Sequence, residues 1–229
     1  INLGTAYTLT ELAVISPFNH VILYVPQEDL YLDSTAPTVR PGDLYLDIAG
    51  KPVVLTALGA IGRTPDFKPD TNIAQTDVEL TLNEEGRITG RAVERFKGAA
   101  EIKLRDWAVD AQSSSMESNV RETLAANGES GNGHYSMGDP YDLGKPFEII
   151  NEFELDPLTN VPGPAGWRIP VGLISSGVRD QLNLRLADTR RTPFICSPGT
   201  VIERYQIRFP SNIQIRAMPS NVRFEGKWL

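Results

Sequence analysis

One cysteine and two histidines are all the chain offers of the residue types that most often hold transition metals. A lone Cys196 excludes an internal disulfide. His20, His134 and Cys196 are too widely spread to give the ligand spacing of a zinc-type site. Asp66 and Asp70 flank Lys68-Pro69 and lack the calcium-loop pattern. The longest apolar run, Val53–Ile61, is too short to span a bilayer. There is no basic cluster, and the net charge of −7 is spread along the sequence. That argues against nucleic acid and anionic membranes as partners. Neither a Gly-x-Ser-x-Gly elbow nor a Walker-type loop occurs. Acidic pairs such as Glu84-Glu85 read as turn residues on a solvated surface, with no specific support for glycosidase chemistry. No cofactor or metal is expected.

What is abundant is punctuation. Seventeen prolines and nineteen glycines divide 229 residues into short segments, the pattern of a β-rich chain. At 41% hydrophobic and 22% charged, the composition suits a globular protein able to bury a core. The length allows one large domain or up to two ordinary ones. The first residue is Ile1 rather than methionine, so the chain reads as a piece of a longer protein.

The most informative stretch is Ser16–Ala36. Two apolar runs, Val21–Val25 and Leu30–Leu32, flank the turn-prone Pro26-Gln-Glu-Asp29, which predicts a β-hairpin. If Val25 pairs with Leu30 across a four-residue loop, Ile22 faces Asp33 and His20 lies one diagonal step away on the same face. Diagonal cross-strand neighbours are roughly 7–8 Å apart at the backbone, within reach of an imidazole and a carboxylate. A two-residue loop would put His20 opposite Asp33; a three-residue loop would separate them, so register decides. Histidine beside aspartate is the base-and-orienter half of a catalytic triad. The plainer alternative is a strand-end histidine and a turn aspartate.

Phe18-Asn-His-Val21 followed by Tyr31-Leu-Asp-Ser-Thr-Ala36 resembles the His and Asp blocks of bacterial transglutaminase-like proteins. These have a papain-like core and a Cys-His-Asp triad in that chain order. The resemblance is closest to the multidomain subgroup with a β-rich domain on each side of the core. Weaker similarity continues through Gly86-Arg-Ile-Thr-Gly90 and Gly98–Arg105. It implies that residues 1–62 are the C-terminal part of such a core. The proline-bearing, polar 63–74 then reads as a linker and the strand spacings of 75–229 as a β-sandwich domain, open to truncation because its last expected strand runs almost to Leu229. The resemblance further implies His20 as general base and acid, Asp33 as its orienter, and a protein or peptide substrate. The chemistry would be acyl transfer through a cysteine thioester to water or to an amine, in an exported protein of the periplasm or cell surface.

The family's cysteine precedes the histidine and opens a helix, whose N-terminus favours thiolate. Here Cys196 follows His20 and sits in the strand-like Pro193-Phe-Ile-Cys-Ser-Pro198, so it reads as a small buried residue. The nucleophile is therefore expected on a missing N-terminal portion, and this piece alone is expected to show no thiol-dependent amidase activity. The alternative function is a non-catalytic β-sandwich binding or structural module that retains a relic His/Asp hairpin.

Upstream, Leu44–Ile48 alternates and Val53–Leu58 is a candidate buried strand. Further on, Val78, Leu80 and Leu82 share a face, Asn83-Glu-Glu-Gly86 turns, and Arg87–Glu94 returns as the hairpin partner. A third strand is expected over Ile102 and Leu104. One helix is expected after an N-cap at Ser115, with Val120 and Leu124 at helical spacing and Asn127-Gly128 as its stop. Gly128–Gly144 reads as a mobile glycine-rich loop carrying a solvated His134. Its Gly131-Asn-Gly133 is a weak phosphate signal, because no strand precedes it and no helix follows. Strands are expected again with Phe147, Ile149, Asn151, Phe153 and Leu155 on one face, over Leu182–Leu186, over Val201–Phe209, and at Ile213–Ile215 and Val222–Phe224. Together these spacings predict a mainly β, antiparallel sandwich with one short helix.

Overall fold

A computed structural model describes residues 1–3, 7–9, 17–111, 116–157, 160–161, 163–168, 178 and 198–225. Cys196, Ser115 and the expected strand over Leu182–Leu186 lie outside these residues. The fold is mainly β. Two small hairpins come first, β1 (Leu23–Val25) with β2 (Leu30–Leu32) and β3 (Pro52–Leu55) with β4 (Ala60–Arg63). After them come β5 (Ile73–Leu82), β6 (Ile88–Lys97), α1 (Ala99–Ala111), α2 (Met116–Ala126), β7 (Gly131–Met137), β8 (Glu148–Leu155) and β9 (Thr200–Arg208).

The last five strands form one sheet in the order β7-β8-β6-β5-β9. Alternation places Val78, Leu80 and Leu82 of β5 and Ile149, Phe153 and Leu155 of β8 on its buried face. Ala108 of α1 and Val120 and Leu124 of α2 pack on that face. Among the described residues, the layer against the sheet is thus helical, where a second sheet was expected. The sheet is also not wholly antiparallel, because β9 runs parallel to β5.

Three further sequence expectations change. Ile102 and Leu104 lie on α1 instead of a strand. Glu-Ile-Lys-Leu-Arg satisfies both periods, but the helix lets Glu101 meet Arg105 one turn on, at 2.9 Å. Its start is capped from a distance, since Ala100 N donates to Asn72 Oδ1 at 3.1 Å. Gly128–Gly144 is not a loop throughout, for β7 occupies Gly131–Met137. A Cβ on Gly131 would lie 2.2 Å from Glu154 O, and one on Gly133 2.5 Å from Glu152 O, so these glycines permit close backbone approach. Finally, Leu44–Ile48, Ile213–Ile215 and Val222–Phe224 are turns or irregular chain. Leu44 and Ile48 remain buried, while Ile215, Val222 and Phe224 are exposed.

The solvent-facing side of the sheet carries an alternation of charge from strand to strand. Acids of β8 (Glu148, Glu152) face arginines of β6 (Arg95, Arg91), which adjoin acids of β5 (Asp77, Glu79), which meet arginines of β9 (Arg204, Arg208). The pairs are exposed and mutually neutralising.

The two small hairpins share a separate core of Ile1, Tyr31, Leu44, Ile48 and Val53, with Ile22, Tyr24, Tyr45 and Leu55 packed against it. Hairpins with strands this short are marginal alone. Here the chain that follows β2 is fastened to α1: Ala36 and Val39 bury themselves against Ile102. Beside them Arg105, 1% exposed in its side chain, lies over the Phe147 ring and donates to Pro140 O and Lys145 O at 2.8 Å. Glu101 holds Arg105 with one carboxylate oxygen and Arg40 with the other, the latter at 2.6 Å.

Candidate active site

The hairpin register is Leu23↔Leu32, Tyr24↔Tyr31 and Val25↔Leu30, with Pro26–Asp29 as a four-residue loop. Extending it by one step sets Ile22 opposite Asp33 and leaves His20 on the same face. That face is the inner one, where Ile22, Tyr24 and Tyr31 pack. The turn is tight enough that Asp29 adopts φ 48°, and its carboxylate accepts the Tyr24 hydroxyl at 2.8 Å. This is a tolerated residue type in the left-handed region.

Each end of the pair is held. His20 N donates to Ile1 O at 3.0 Å, and the neighbouring Asn19 side chain accepts Leu3 N at 2.7 Å. Asp33 Oδ1 accepts both the Thr35 amide (3.0 Å) and the Thr35 hydroxyl (2.7 Å), an Asx-type turn. The other oxygen, Oδ2, lies 2.7 Å from His20 Nε2. The side chains are 14% and 2% exposed, so the pair is shielded from water.

Burial alone would push the Asp33 carboxyl up. The hydrogen bonds from Thr35 and His20 outweigh it, and hold the group below the usual aspartate range. Asp33 is therefore an anion at neutral pH and can only accept. Nε2 must then carry the proton donated to Asp33, which leaves Nδ1 as the basic nitrogen of neutral His20. Among the described residues nothing hydrogen-bonds Nδ1. A fixed tautomer, an unprotonated basic nitrogen and a shielded carboxylate behind the ring are what a general base needs to take a proton and stabilise the resulting imidazolium.

The two residues expected at the site thus come together. His134, read from sequence as a solvated loop histidine, stands on β7, 3.1 Å from Glu152 of β8; both are exposed. Sequence reasoning missed Thr35, whose signal was the Asp-x-Thr spacing of an Asx turn. It also missed Tyr45, whose ring packs against the hairpin core and lies near enough to Asp33 for their charges to interact. Among the described residues no group of three or more His, Cys, Asp or Glu side chains is placed to hold a metal ion. No helix of the described residues is long and apolar enough to cross a membrane. Comparison with models of known protein families, with curated proteins and with solved structures finds no match.

Proposed function

We propose that His20 and Asp33 are the base and orienter of a transglutaminase-like cysteine enzyme that acts on peptide or glutamine-type amides. The observation that carries this reading is the shielded 2.7 Å contact between Nε2 and the Asp33 carboxylate, which commits Nδ1 to proton transfer. In the proposed reaction His20 Nδ1 takes the proton of a cysteine thiol. The thiolate adds to the amide carbon, a C–S bond forms, and the C–N bond breaks as the imidazolium returns the proton to the leaving amine. The thioester then passes its acyl group to water or to an amine, with His20 deprotonating the acceptor. Asp33 keeps the ring aligned throughout.

The thiol is assigned to a polypeptide segment ahead of this one, because the resemblance places the nucleophile before the histidine. Protein or peptide substrates, and a periplasmic or cell-surface location, belong to the same proposal. One observation favours the alternative of a non-catalytic module: the chain's sole cysteine, Cys196, follows His20 instead of preceding it.

The test is thiol-dependent amide cleavage by the longer protein. His20→Ala should lower it about 10²- to 10⁴-fold, the usual worth of a positioned base. Cys196→Ser should leave it unchanged, and the 229-residue chain alone should be inactive. Full activity in His20→Ala would overturn the proposal. Activity abolished by Cys196→Ser would move the nucleophile into this chain.

A further inference from the structure

The chain leaves Asp33 and is fastened to α1 within a few residues. Ala36 N returns to Asp33 O at 3.3 Å and Val39 N to Ala36 O at 3.3 Å, so successive turns take up the slack. Ala36 and Val39 then pack on Ile102. Buried Thr38 donates its hydroxyl to Asp106 Oδ1, and Tyr45 donates to the same oxygen at 3.3 Å. Arg40 spends its guanidinium on Glu101, on Leu143 O (2.8 Å) and on Lys145 O (2.7 Å). Tyr45 closes the circuit, since its ring packs against both the hairpin core and the Ala36–Val39–Ile102 cluster. Among the described residues, the contacts that hold the His20 backbone run to Ile1, from His20 N to Ile1 O and from the Ile1 amino group to His20 O, and not to α1.

We infer that α1 positions the Asp33 carboxylate against His20 through the strap of residues 36–45, with Asp106 receiving both hydroxyls of the strap. Both ends of the pair share the hairpin core through Ile1 and Tyr31, but among the described residues only the Asp33 side continues into a strap fastened to α1. A displacement of α1 would therefore reach the pair from the Asp33 side. Thr38, Tyr45 and Asp106 are positioning residues; none touches the reacting atoms. This inference rests on the proposed role of the pair for its functional meaning, though not for its structural test.

The test uses solvent exchange of the His20 Nε2 proton, followed by NMR in the intact chain. Thr38→Val combined with Tyr45→Phe removes both hydroxyls and keeps their volume. It should speed exchange roughly five- to tenfold, the factor that one typical hydrogen bond represents. Asp106→Asn keeps a carbonyl acceptor and should stay near the parent rate. Leu124→Ala, a core change remote from the strap, should lower stability without speeding exchange while the protein is folded. Unchanged exchange in the Thr38/Tyr45 double variant, with Asp33→Asn still accelerating it, would overturn the inference and leave the proposed function standing. Thiol-dependent activity that survives His20→Ala would overturn the proposed function and leave the exchange result standing.

Discussion

His20 and His134 each meet a carboxylate carried by a neighbouring stretch of antiparallel chain, at 2.7 and 3.1 Å. The first pair is shielded and its aspartate is further held by Thr35. The second sits on the solvent face with side chains 65% and 53% exposed, and its Glu152 also faces Arg91 at 3.9 Å. Water competes for every donor in the exposed pair, and such pairs typically contribute 0–1 kcal/mol. In the shielded pair, an anion that cannot turn to water keeps one imidazole nitrogen occupied. Residue type and separation are nearly the same in the two places. Burial and a second hydrogen-bond partner give one of them a defined tautomer and leave the other a surface contact.

The same contrast extends to the ion pairs, where the largest effect is expected. Glu101 bridges buried Arg105 and half-buried Arg40. Glu101→Ala strands the guanidiniums and should cost about 3–5 kcal/mol in urea unfolding. Arg87→Ala breaks only the exposed contact to Glu154 and should cost no more than about 1 kcal/mol. Equal costs would break the comparison. Next in size is Asp33→Ala, which leaves the His20 and Thr35 donors unsatisfied and should cost about 1–3 kcal/mol. Glu152→Ala at the exposed pair should fall below about 1 kcal/mol.

Acid titration sharpens the point. The folded-state pKa of Asp33 lies below its unfolded value, so its charged form stabilises the fold. That contribution is complete above about pH 4, the ordinary aspartate range, and is lost as pH falls through the lower folded value. Unfolding of the parent and of Asp33→Asn should differ at pH 7 and converge on acidification through that window. The smallest expected effect is that of salt. At about 1 M salt the Debye length shrinks to roughly 3 Å, and any stability difference between the parent and Glu152→Gln should fade. The difference between the parent and Asp33→Asn should persist.

The His20–Asp33 pairing was legible because a period of two lets loop length alone decide which side chains share a face. The long strands were legible for a related reason. Val78, Leu80 and Leu82 are buried in alternation with exposed polar residues, a pattern that needs no distant information. The errors fell where distant information decides. The alternation Ile102, Leu104 resembles a strand until the Glu101–Arg105 turn contact and the Asn72 cap are known, and that cap is 28 residues away in sequence. Gly131 and Gly133 resemble loop residues until the backbone of β8 is placed against them. Asp106 carries no local signal at all, since its partners Thr38 and Tyr45 are more than 60 residues upstream.

The contrast at the centre is that Asp33 fixes the tautomer of His20 in a way that Glu152 does not fix that of His134. It is tested most directly by ¹⁵N NMR of the two imidazoles above the pH at which both are neutral. His20 should be almost wholly the Nε2–H tautomer, with Nδ1 unprotonated, while His134 averages between tautomers as an exposed imidazole does. A His20 ring that averages as freely as His134, or that carries its proton on Nδ1, would contradict it.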